Sequence, residues 1–166
     1  RAIAGDLGDA AVRADALAGV EAIVHLATVP GGAAEADPAL SRRINVDAMY
    51  DLMLEAAALR PGLRFVFASS IAVFGDSLPA LVDDDTPLSP KMIYGGHKAM
   101  MEQAVAMYSN RGMIDGVTLR LPGILARPKK RLHVGPVPRA EGGGGVHLPG
   151  LGRRDDLGAV RGAVRG

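Results

Sequence analysis

Ser69-Ser70-Ile71-Ala72-Val73-Phe74-Gly75, followed after a loop by Tyr94-Gly95-Gly96-His97-Lys98, is the stretch on which the reading of this chain turns. It is entered from Leu63-Arg64-Phe65-Val66-Phe67-Ala68, a short run rich in β-forming residues and preceded by Pro61-Gly62. That composition predicts a buried strand. The loop holds Pro79, Asp83 to Asp85, Pro87 and Pro90, and beyond it a helix is expected from about Met92 to Asn110. Gly116-Val117-Thr118-Leu119-Arg120-Leu121 predicts another strand, ended by Pro122-Gly123. Tyr94 and Lys98 stand four apart at the start of the helix, so their side chains project from one face and can meet over a common ligand.

Upstream, Glu21 to Ala27 is an apolar run that reads as a strand ending in a Pro30-Gly31-Gly32 loop. From Ser41 to Leu59 the apolar residues Ile44, Met49, Leu52, Met53 and Ala56 alternate with charged ones as in a helix with one buried face. Arg1 stands in what looks like the end of a strand, so the chain is expected to begin inside a domain. Strands apolar on both faces, alternating with long helices, predict an α/β fold: a doubly wound parallel sheet with helices on both faces. Ligands of such sheets sit beyond the carboxyl ends of the strands. The residues to inspect are therefore Gly5 to Leu7, Leu26 to Thr28, Ser69 to Gly75, and Pro122 to Arg127.

The chemistry follows from the residue types. A tyrosine hydroxyl, with an ordinary pKa of about 10, is a poor base at neutral pH, and a neighbouring ammonium favours its phenolate. Lys98 could activate Tyr94 in this way. A hydroxyl from Ser69 or Ser70 could hold a substrate oxygen while Tyr94 moves its proton and a nicotinamide exchanges hydride with the same carbon. The Tyr/Lys spacing alone occurs on many amphipathic helix surfaces. The ordered set of strand, serines, Val-aromatic-Gly, Tyr-x-x-x-Lys and strand is far harder to obtain by accident.

Over residues 1–128 this ordered set resembles the extended short-chain dehydrogenases, the group that includes nucleotide-sugar epimerases and dehydratases. The resemblance implies an incomplete Rossmann-like domain over 1–128 that uses NAD, with NADP left open. In that family a Ser or Thr stands three residues before the Val of the Val-aromatic-Gly motif, which selects Ser70 over Ser69; Phe74 replaces the commoner Tyr. The catalytic group implied is Ser70, Tyr94 and Lys98, the last two also touching the cofactor. Asp6 and Leu7 are expected to contact the adenine, Leu26, Ala27 and Thr28 to line the cofactor, Asn45 to support the catalytic strand region, and Pro122 to lie near the nicotinamide. The strings Tyr108-Ser109-Asn110-Arg111-Gly112 and Asp115 to Pro122, with Ala126-Arg127-Pro128, look most like members that oxidise a four-carbon sugar acid. The small-molecule partner expected is thus a sugar acid, with Ser70 and Tyr94 on its hydroxyl and Arg127 on its carboxylate. A nucleotide-sugar epimerase or dehydratase is the runner-up, and a non-catalytic cofactor-binding fragment the third reading. The family's glycine-rich phosphate loop should precede Asp6; Gly31-Gly32 and Gly142 to Gly145 do not fill that place. A truncated start, and weak or absent activity, are therefore expected.

Composition bounds the rest. The 166 residues carry a net charge of +1 and no cysteine, which fits one domain in a reducing, cytoplasmic compartment without a disulfide frame or thiolate metal site. No apolar run approaches the roughly 18 residues that would suggest a membrane span. His25 is expected to pack at a strand end, His97 to face solvent or substrate without a role, and Asp83 to Asp85 to form a solvated loop; no metal is expected. The methionines at 49, 53, 100, 101 and 107 should fill helix faces against the sheet or a partner in a homodimer. Residues 129–166 form an irregular Gly/Arg-rich tail with 8 Lys or Arg against 3 Asp or Glu, whereas 1–128 carry 11 against 15. From Arg131 onward only residue types with a codon beginning in G or C occur, the mark of a GC-rich gene read out of frame. The alternative is a disordered basic tail that touches nucleic acid, but it lacks aromatic residues for stacking on bases.

Overall fold

The structure is a computed structural model that describes residues 1–123. Three strands, β1 (Ala22–His25), β2 (Leu63–Ser70) and β3 (Ile114–Leu121), form a parallel sheet in the order β1-β2-β3. The register sets Ile23 beside Phe65, Phe65 beside Gly116, and Ser70 beside Leu121. Parallel neighbours need helical crossovers. Here α4 (Ala48–Leu59) lies between β1 and β2 in the chain, and α5 (Ile93–Asn110) between β2 and β3.

Side chains alternate along β2, and the alternation decides the core. Leu63, Phe65, Phe67 and Ser69 are buried, while Arg64, Val66, Ala68 and Ser70 are not. The buried face meets Met49, Met53 and Ala56 of α4, Met101 and Val105 of α5, and Leu17 of α1 (Ala10–Leu17). The described helices cover this face; on the other, Val24 and Leu119 are 62% and 46% exposed. Of the five methionines expected to pack, Met49, Met53 and Met101 are buried, whereas Met100 and Met107 are exposed.

The helix expected from Ser41 begins earlier and is not regular. Asp37 Oδ1 accepts from Leu40 N at 2.9 Å and Pro38 occupies the first turn of α3 (Pro38–Arg42), a capped start. A π turn over Arg43–Asp47 then leads into α4. Ile44, expected on the buried face, instead lines a cavity with Leu7, Ala27 and Ala48, while Val46 packs against the core that holds Met49.

Two further helices escape the apolar pattern. Residues 10–17 form α1, whose N-cap Asp9 accepts from Ala11 N at 2.8 Å. Gly31–Ala36 forms α2 where a loop was expected, because Pro30 O accepts Ala34 N at 2.9 Å and begins a helical turn despite the two glycines. Arg1, expected within a strand end, joins no ladder among the described residues. No helix among them is long and apolar enough to cross a membrane.

Candidate active site

The carboxyl end of β2 separates the two serines by the alternation of the strand. Ser69 faces the core and donates from Oγ to Glu102 Oε1 at 2.5 Å; Glu102 also receives Arg120 Nε and Nη2 at 3.1 and 3.0 Å. Ser70 stands on the other face, half-buried, and its Oγ accepts from Ala72 N at 3.2 Å. That bond caps a 3-10 turn over Ile71–Phe74. The first turn of α5 packs directly on this turn: a Cβ at Gly95 would collide with the Ala72 carbonyl oxygen. Gly75 leaves the turn at φ 78°, a left-handed conformation suited to glycine, with no room for a side chain beside Ser89 O. The cap of α5 comes from α2, where Glu35 Oε1 accepts Ile93 N at 2.7 Å.

Tyr94 and Lys98 therefore reach the end of β2 together. Lys98 is buried; its Nζ donates to Ala68 O at 2.7 Å and stands 4.6 Å from the Phe67 ring centroid and 5.7 Å from that of Tyr94. Burial lowers its pKa to about 8. At neutral pH it remains an ammonium, set among a carbonyl and two aromatic faces rather than water. His25, last in β1, lies 6.2 Å from each of the Phe65 and Phe67 rings, and its Nε2 is buried with no hydrogen-bond partner. Burial first, and the Lys98 charge second, push its pKa down to about 4.

A second cluster forms at the end of β1. Asp6, Leu7 and Ala27, with Gly5, Ile44 and Ala48, line a cavity of about 500 Å³. Leu7, Leu26 and Ala27 also border an adjoining apolar cavity of about 400 Å³. An apolar slot with a carboxylate at its rim is a fit for a planar heterocycle such as an adenine. The rim is braced: Asp6 Oδ1 accepts from Gly8 N at 2.8 Å, and Leu7 O accepts from Arg13 Nη1 at 2.7 Å. Buried Arg13 is itself held by Glu55 at 2.8 Å.

Thr28 and Asn45 meet beside this slot. Asn45, buried in the π turn, accepts from Val29 N at 2.7 Å and from Thr28 Oγ1 at 3.1 Å. Pro122 follows β3, exposed, next to the Leu121 that pairs with Ser70. Arg127 and the tail from 129 lie outside the described residues. Among those residues no three His, Cys, Asp or Glu side chains gather as a metal site, and Asp83 is engaged with Thr86 in a turn.

Sequence reasoning missed Arg13, Ser41, Glu102 and the hydrogen-bond partner of His97. Ser41 Oγ lies 2.9 Å from His97 Nδ1, so the histidine expected to have no role is joined to a buried serine. Glu102 left one signal: it follows Lys98 by four residues, on the face that also holds Met101 and Val105.

A family model matches residues 1–135, and its description is NAD dependent epimerase/dehydratase family. The chain belongs to that family. Its similarity to a D-erythronate dehydrogenase of Cupriavidus necator is 45% identity over 131 residues, 78% of this chain and 40% of the relative. Among solved structures, a nucleoside-diphosphate-sugar epimerase from Agrobacterium tumefaciens is 36% identical at TM-score 0.68, over 80% of this chain and 40% of that one. A short-chain dehydrogenase/reductase superfamily protein from the same organism, with bound NAD, is 34% identical at TM-score 0.63, over 70% and 35%. The chain thus spans about 40% of the length of these relatives. As a member of the NAD dependent epimerase/dehydratase family it has an α/β fold with a parallel sheet, and its relatives by name are dehydrogenases and epimerases.

Proposed function

We propose that this chain carries the catalytic Ser-Tyr-Lys group and part of the NAD site of a dehydrogenase that oxidises a secondary alcohol of a sugar acid of the D-erythronate type. The observation that carries the reading is the convergence of Tyr94 and buried Lys98 on the carboxyl end of β2, where Ser70 ends the strand. The 45% identity to a D-erythronate dehydrogenase supports the choice of substrate class.

Ser70 orients the substrate hydroxyl by hydrogen bonding. Tyr94, as phenolate, takes the hydroxyl proton, and the Lys98 ammonium stabilises that negative oxygen. Bound NAD supplies the acceptor for the hydride released from the same carbon, so the alcohol becomes a ketone and the electron pair leaves as NADH. The slot formed by Asp6, Leu7 and Ala27 would hold the adenine, with Leu26 and Thr28 along the cofactor's path and Pro122 near its nicotinamide. Arg127 is assigned to the substrate carboxylate.

The test follows NADH formation with NAD and D-erythronate, with a UDP-sugar as the second substrate. NADH accumulating on D-erythronate alone supports the reading. Conversion of the UDP-sugar without net NADH would replace it with the epimerase reading, which the similarity to a nucleoside-diphosphate-sugar epimerase favours.

A further inference from the structure

One buried polar chain is not used by the catalytic trio. Asn45 Nδ2 donates to Val29 O at 3.0 Å and to Ser41 Oγ at 3.1 Å, while its Oδ1 accepts the Val29 amide at 2.7 Å. Ser41 Oγ in turn stands 2.9 Å from His97 Nδ1. Ser41 is fully buried, and Asn45 and His97 are its side-chain partners. A hydroxyl has one hydrogen. Since Ser41 already accepts from Asn45, the set is satisfied when Ser41 donates to Nδ1 and neutral His97 carries its hydrogen on Nε2. Burial, the largest influence, lowers the His97 pKa; the Arg42 charge acts in the same sense and the Asp47 charge against it.

We propose that His97 is a positioning residue, which hooks the helix carrying Tyr94 and Lys98 to the Thr28–Val29 loop through Ser41 and Asn45. The loop belongs to one end of the sheet and the helix to another part of the chain, and the π turn places Asn45 between them. Its effect on the cofactor rests on the reading of Thr28 as cofactor-lining; the hook itself does not. What position 97 requires is an acceptor where Nδ1 stands. Asparagine supplies one in its Oδ1, and alanine does not.

The full 166-residue chain is compared as wild type, His97→Ala, His97→Asn and Ser41→Ala, with two readouts: hydrogen exchange of the Val29 amide, and NAD affinity by titration. His97→Ala and Ser41→Ala should speed Val29 exchange about tenfold and weaken NAD binding by about the same factor. His97→Asn should keep both within about twofold of wild type. Ser41→Ala removes a single oxygen, so it tests the hook even if His97→Ala does not fold. Wild-type Val29 exchange in Ser41→Ala, or a His97→Asn variant no better than His97→Ala, would overturn the proposal. Absence of NAD binding by the wild type would instead remove the cofactor reading, and the exchange series would still decide the hook.

Discussion

In the proposed mechanism, Tyr94 and Lys98 divide one task between a group that moves a proton and a group that holds charge. Tyr94→Phe removes a single oxygen and leaves the ring beside Lys98, so turnover should fall by a factor on the order of 10²–10⁴ with little change in NAD affinity. Kinetics set beside a cofactor titration would check this; a fully active variant refutes the role. That Tyr94 and Lys98 share a helix face, after a strand ending in two serines, could be read from residue types and order, whereas the choice of Ser70 rested on resemblance to a family motif. The partners of those residues could not be read. Ser69 and Ser70 differ in surroundings because adjacent strand residues point to opposite faces, which sends Ser69 to Glu102 and leaves Ser70 at the open end.

At the scale of elements, the approach of α5 to the 3-10 turn after β2 depends on Gly95. Gly95→Ala would normally favour a helix by about 1 kcal/mol. Here the added carbon meets the Ala72 carbonyl, and a net loss of about 1–3 kcal/mol is expected. Chemical unfolding measures it, and a stabilised variant would show that the contact yields. The strands and the two long helices were legible because each carries an apolar face at the spacing of its type. The π turn over Arg43–Asp47 left no comparable signal, since Ile44 does not share the buried face of Met49. α1 and α2 were no clearer: eight and six residues, rich in alanine or opened by two glycines, hold little periodic signal.

Over the whole molecule, two buried bases bind protons less readily than in the unfolded chain, and both make stability rise with pH. For His25 the window runs from 6.5 down to about 4: the unfolded chain takes up a proton there and the folded one does not, so acid removes up to roughly 3 kcal/mol. His25→Leu should show a smaller drop between pH 7 and 4.5 in urea unfolding; an equal drop refutes the assignment. For Lys98 the window lies between about 8 and 10.5. Below it, folding buries an ammonium; as pH rises through it the folded chain sheds that proton first, and stability grows. Lys98→Met should flatten the rise between pH 8 and 10, and an unchanged slope would show that the lysine is not its source.

By itself, the sequence determined the α/β class, the three strands and two long helices, and the placing of Tyr94 and Lys98 on one helix face after a strand that ends in two serines, since these depend on periodicity and on local spacing. Tertiary structure alone decided which serine the core consumes, that His97 meets Ser41 across 56 positions, and that Lys98 is buried against Ala68 O. Those outcomes depend on which segments are brought together, and a contact between distant residues leaves no period in either.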